Sequence, residues 1–373
     1  MHVGYGVAFQ NPEDHLDDGE VYAQEMRLVD LAVDLGFESI WTVEHHFTDY
    51  TMCPDPVQLL TWLAARHPGV RLGTAVIVLP WHDPMRCAEQ ITLLDNLSDG
   101  RLILGIGRGL ARVEYEGFRV DMGTSRDRFV EYAQMILEGL EQGYLEHDGT
   151  FVTQPRRDLR PRPRRSFRGR TFAAAVSPES MPIMARLGVG LLVIPQKPWE
   201  IVRADMDSYR EVWADEHGPG VPIPDPMISG FCYVDSDADR AEEMAYRYIG
   251  GYYATVLKHY ELEADPHKGV KGYEFYRNIT RYIDRHGRDG AIADFVNLMP
   301  WGTPDQVLEK IAHIRDSIGM AGFHPNFSYA GMGYDDAEAS IRLFAREVMP
   351  QLRTWDSDLP ETSEPLHLAG AGA

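Results

Sequence analysis

Strand-like and helix-like apolar patterns alternate along nearly the whole chain, and this alternation constrains the fold more than any single motif. Short runs rich in β-branched and aliphatic residues occupy positions 2–9, 38–43, 71–79, 102–106, 171–176, 190–194, 227–234 and 321–327. Such runs read as strands buried on both faces, the kind found in parallel sheets. Stretches with helical spacing separate or follow them at 20–35, 56–65, 84–97, 126–142, 178–187, 198–216, 237–257, 304–318 and 335–352. In the first of these, Leu28, Leu31, Ala32 and Leu35 share a face and Gly36 supplies the stop. Eight strands alternating with helices is the count of a single (β/α)8 TIM barrel. A doubly wound sheet is the alternative, because strand count alone does not establish closure.

At 373 residues the chain could hold two domains, but α/β barrels commonly exceed about 250 residues as one unit. No linker divides the chain, so one domain is expected over 1–355, with a disordered Ser/Pro/Gly/Ala-rich tail over 356–373. Two stretches break the alternation. Positions 155–170 hold eight arginines and three prolines and read as an extended connector. Positions 258–301 read as a long loop, of the kind that forms an active-site lid.

No run approaches the roughly 20 apolar residues of a membrane span, and the first residues lack a signal-peptide pattern. Cys53, Cys87 and Cys232 are odd in number and far apart, which argues against a disulfide framework and fits a reducing cytoplasm. A net charge of −21 disfavours nucleic acid and anionic membrane as partners.

Chemistry is expected where α/β folds place it, beyond the C-terminal ends of strands. Glu44-His45-His46-Phe47 follows the second run, and imidazoles there suit proton transfer near neutral pH. A structural role for buried histidines is the alternative; as a metal site the pair lacks a third ligand of telling spacing. Gly105-Ile106-Gly107-Arg108-Gly109-Leu110 follows the fourth run. Its spacing is not that of a dinucleotide fingerprint, and 111–123 do not read as a clean helix. It is either a tight turn or a place where backbone and Arg108 approach a phosphate. Val176-Ser177-Pro178-Glu179-Ser180 joins a strand to a helix, and its Ser177 cap and free amides form either an anion site or only a cap. Arg126 begins another helix, available to the same anion or to a surface ion pair.

Taken together, these stretches resemble the luciferase-like flavin-dependent monooxygenases, nearest to the alpha subunit of bacterial luciferase. The resemblance runs from His2 to about Leu352. It rests on Glu44-His45-His46-Phe47-Thr48, the strand 73–80, Ala88-Glu89-Gln90 through Leu93-Leu94-Asp95, the glycine-rich turn, Ser125-Arg126, Lys271-Gly272-Tyr273, Gly302-Thr303-Pro304 and Leu343-Phe344 through Val348-Met349-Pro350.

The resemblance implies a barrel that binds reduced FMN, supplied by an NAD(P)H-dependent flavin reductase, and reacts with O2 through a flavin hydroperoxide. It implies catalysis by His45, with Glu44 and His46 orienting it. The phosphate is expected at Arg108, Arg126, Ser177 and Ser180, and the flavin also beside Gly109, Leu110 and Val176. A non-prolyl cis peptide is expected at Ala75-Val76, a mobile active-site loop over 258–301, and a homodimer through helices 56–65 and 84–97. Two departures stand out. Gly107 replaces a cysteine, which is expected to enlarge the flavin-side cavity, and Val176 replaces an acidic residue. They point to a non-luminous relative acting on a terpene, aldehyde or polyketide. The alternatives are a deazaflavin-dependent hydride-transfer enzyme and a non-catalytic flavin-binding subunit.

Overall fold

In the computed structural model, described here for residues 1–264, 269–360 and 363–366, eight parallel strands close on themselves. They are β1 His2–Val7, β2 Ser39–Thr42, β3 Arg71–Thr74, β4 Leu102–Gly107, β5 Thr171–Ala174, β6 Gly190–Val193, β7 Met227–Phe231 and β8 Gly322–Asn326. Each pairs with its neighbour, and β8 returns to β1 with Val3 opposite Phe323 and Gly6 opposite Asn326. That closing ladder makes the sheet a barrel and removes the doubly wound alternative.

All eight expected strands form. The third breaks at a cis peptide between Ala75 and Val76 and resumes at Ile77–Val78, beside Ile106 and Gly107.

The barrel interior is filled by side chains. Trp41 of β2 lies across it, stacked on His324 of β8 at 4.2 Å, among Ile103, Phe172, Leu192 and Met227. Gly4 and Gly73 give Trp41 its room: a Cβ at Gly73 would lie 2.2 Å from the indole Cδ2, and one at Gly4 2.7 Å from Nε1. The helices begin where their sequences direct. Pro56 and Pro84 occupy first turns, and Asp55 and Asp83 accept from the amides of Gln58 and Arg86 at 2.8 and 2.9 Å.

Four sequence expectations need correction. The stretch 258–301 is mostly helical: one helix ends at His259, and another, Tyr276–Leu298, bends at Gly287 (φ 79°). Its Gly287 and Gly290 and its many polar residues masked the helical period; residues 265–268 lie outside the described residues. The arginine-rich connector is not wholly extended loop, since Thr153–Asp158 pairs antiparallel with Tyr144–Asp148. Its last arginine is buried: Arg170 is 1% exposed and pairs with Asp95 at 2.6 Å. Disorder does not describe the near part of the tail, where Leu359 and Ser363 are buried and Arg165 Nη1 donates to the Ser363 carbonyl at 3.0 Å. The remaining tail positions, 361–362 and 367–373, lie outside the described residues. Finally, a helix does form just after the glycine-rich turn, Arg112–Phe118.

Candidate active site

The segments that follow β2, β3, β4 and β5 meet at the C-terminal mouth around one cleft of about 930 Å³, part of it open to solvent. Glu44, His45, Ala75, Val76, Arg108, Gly109, Leu110, Arg126, Val176 and Ser180 all line it. Of the expected site residues, His46 and Ser177 do not. His46 faces a neighbouring groove, and Ser177 is buried behind the wall with its hydroxyl 2.8 Å from that of Ser180.

Glu44 is buried and fully engaged. Its Oε1 accepts from Nε2 of His46 (3.2 Å) and of His82 (2.7 Å), and its Oε2 accepts from the Val78 amide (2.7 Å). Burial alone would raise its pKa, but these hydrogen bonds prevail and hold it below the usual carboxylate value. For His82 burial works the other way, and the Glu44 carboxylate overcomes it to raise the imidazole. Glu44 thus organises His46 and His82 rather than orienting His45, as the sequence had suggested.

His45 is held by a residue that sequence reasoning missed. Its Nδ1 lies 2.9 Å from Oε1 of Glu114, which also accepts the His46 amide at 2.9 Å. Glu114 sits on the short helix after the glycine turn, 69 residues away from His45, so no local spacing announced it. Its carboxyl is almost completely buried, a cost that the imidazoles of His45 and His259 more than offset, holding its pKa at about 2. His259 ends its helix with Nε2 3.7 Å from Glu114 Oε1, and burial lowers its pKa.

At the outer end of the cleft, the guanidinia of Arg108 and Arg126 converge on the carbonyl of Gly272, at 2.7 and 3.0 Å. Arg108 also lies over the ring of Tyr273 at 4.0 Å, and Arg126 reaches Glu179 at 4.0 Å. Gly272 adopts φ 86°, and a Cβ there would meet Arg108 Nη1 at 2.9 Å, so this approach needs glycine. The Val176 carbonyl accepts from Lys197 Nζ at 2.8 Å; Lys197 also pairs with Asp205. Gly107 does not enlarge the cavity, because a Cβ there would lie 2.4 Å from Val76 Cγ2, and Val76 already fills that space.

A (β/α)8 barrel that joins two guanidinia to a buried acid–imidazole set at its mouth is built to hold an anionic ligand beside a proton-handling group. The sequence profile of the luciferase-like monooxygenases matches residues 1–321, and the chain belongs to that family. It is a flavin-dependent monooxygenase. The alkanal monooxygenase alpha chain of Photorhabdus luminescens is 27% identical over 354 residues, covering 93% of this chain and 95% of that one. Among solved structures, the monooxygenase RslO1 from Streptomyces bottropensis superposes with a TM-score of 0.72 at 27% identity, covering 94% of this chain and 100% of the other. The oxygenating constituent of 3,6-diketocamphane monooxygenase from Pseudomonas putida, in complex with FMN, shares the fold (TM-score 0.70, 17% identity, 94% and 99% covered).

Proposed function

We propose that this cleft holds reduced FMN and uses O2 to oxygenate a hydrophobic small molecule such as a terpene, aldehyde or polyketide. The observation that carries this reading is the convergence of Arg108 and Arg126 on one oxygen. Both guanidinia donate to that one carbonyl, and the ion pair of Arg126 with Glu179 is long at 4.0 Å, whereas a phosphate suits both forks. The Ser180 hydroxyl, at the start of helix Ser180–Leu187, adds a donor on the same side. Ala75, Val76, Gly109 and Leu110 offer small side chains and backbone to a flat ring. Val176, Ile183, Met184 and Ile194 make the same cleft apolar enough for a hydrophobic substrate.

Bound reduced flavin supplies the electrons that activate O2. The protein's part is to bind, orient and manage one proton. Glu114 fixes His45 through Nδ1, which leaves Nε2 as the proton-carrying atom on the cleft side. A separate NAD(P)H-dependent reductase delivers the flavin. A homodimer would cover Trp62, Leu93 and Leu97, exposed on helices Pro56–Arg66 and Pro84–Leu97. The free, buried cysteines accord with a cytoplasmic location.

The test is a titration of chelator-treated protein with reduced FMN, followed by turnover under 18O2 with a panel of apolar substrates. Saturable binding that weakens about ten-fold or more in Arg108→Ala and Arg126→Ala, with label in the product, is expected. Anaerobic turnover with a deazaflavin, or product without label, would overturn the reading.

A further inference from the structure

We propose that His45, Glu114 and His259 form a binding site for a divalent transition-metal cation of the zinc class. This goes beyond the flavin reading and does not depend on it.

Geometry comes first. One donor atom from each residue lies within 4.8 Å of the other two. Glu114 Oε1 is 2.9 Å from His45 Nδ1 and 3.7 Å from His259 Nε2. A tetrahedral ion with bonds of about 2.0–2.1 Å sets neighbouring donors roughly 3.3 Å apart, between those two separations. Small side-chain shifts would therefore close the cage.

Unused valence is the second observation. Among the described residues, neither Glu114 Oε2 nor His259 Nε2 has a hydrogen-bond partner, although both atoms are buried. Buried polar atoms are rarely left so, and here two from different elements belong to one cluster. The tautomer of His259 fits. Thr48 Oγ1 lies 3.1 Å from His259 Nδ1 and accepts the Tyr50 amide at 3.4 Å. With Nδ1–H donated to Thr48, Nε2 would present its lone pair to an ion held beside Glu114.

Metal-bound imidazoles usually have their second nitrogen anchored in this way, and Thr48 occupies that position. The ring plane is fixed as well, by Tyr50 stacked on it at 4.4 Å and Tyr260 edge-on at 4.8 Å.

Two imidazoles and one carboxylate suit Zn2+, Co2+, Ni2+ or Fe2+ rather than Ca2+ or Mg2+. A fourth position would open to the cleft that His45 and Glu114 line. The Glu44 cluster offers no such site, because each of its carboxylate oxygens already accepts. An ion on His45 Nδ1 would replace the hydrogen bond to Glu114 and hold that imidazole neutral.

The experiment uses the full-length, flavin-free protein after chelator treatment. It is titrated with ZnCl2 by calorimetry and with CoCl2 by visible absorption. One ion per chain is expected, with the intense d–d bands of low-coordinate Co2+. His259→Ala and Glu114→Gln should each weaken binding roughly a hundred-fold, and Thr48→Val about ten-fold. Melting curves show which variants fold, and His259→Gln replaces His259→Ala if the latter does not. Absence of stoichiometric binding, or binding unchanged in the folded variants, overturns the proposal. No flavin is present, so this result is separate from that of the FMN titration.

Discussion

The two ends of the barrel bury charge in opposite ways. At the bottom, before β5, Arg170 spends its guanidinium completely: on both oxygens of Asp95 (2.6 and 3.2 Å) and on the carbonyls of Ser166, Leu102 and Arg165 (2.7, 2.8 and 3.1 Å). Phe167 covers its face at 3.9 Å. At the mouth, Glu114 is as deeply buried, but among the described residues its Oε2 has no partner, and neither has Nε2 of His259 in the same cluster. A saturated buried pair holds elements together, whereas a half-saturated one has capacity left for a ligand or a proton. Glu44 is the internal control: a mouth carboxylate with the satisfaction of the bottom.

The largest effect should come from breaking the saturated end. Arg170→Ala leaves Asp95 charged and buried, and unfolding by denaturant should show a loss of about 3–5 kcal/mol. Glu114→Gln should lower the midpoint less, by the charge stabilisation that holds its carboxyl pKa at about 2, while turnover falls about a hundred-fold because His45 loses the anion that orients it. A comparable loss of stability in both variants would erase the distinction between the ends.

Glu44→Gln removes a charge-assisted centre without freeing a cleft atom. It should cost about 2 kcal/mol in stability and reduce turnover less than Glu114→Gln does.

The smallest effect concerns Glu25, buried with its Oε1 2.6 Å from the Ser328 hydroxyl and its Oε2 without a described partner. Burial pushes its pKa up to about 7 from an ordinary 4.5. The folded state therefore holds a proton that the unfolded chain releases, so stability falls as pH rises from 4.5 to 7 and stays lowered above it. Glu25→Gln should flatten that slope and raise the melting temperature by a few degrees at pH 8, with little change at pH 4.

Regions dominated by local pattern were legible in the sequence. Each of the eight strands is a short apolar run, and the helices carry Asp–Pro starts or glycine stops, so their positions follow from neighbours a few residues apart. Closure was not legible, since the β1–β8 ladder joins opposite ends of the chain. Arg108 and the serines of the anion end were visible because they follow strands, and Arg126 because it opens a helix. Glu114 and His259 were not. The first lies in a seven-residue helix too short to show a period, and the second resembles an ordinary basic residue at a helix end. Their role depends on meeting His45 in space, which chain order does not encode.

Trp41 and its two glycines also set an order on change. Alanine at position 73 or 4 would collide with the indole, so each is barred while Trp41 stands. A smaller residue at position 41 lifts the bar at 73, and that at 4 once the Ser39 hydroxyl, 2.5 Å from the same Cβ, also turns away; once either glycine is replaced, tryptophan can no longer return. Sequence drift through this barrel is thus a ratchet: the same three substitutions are tolerable in one order and forbidden in the other.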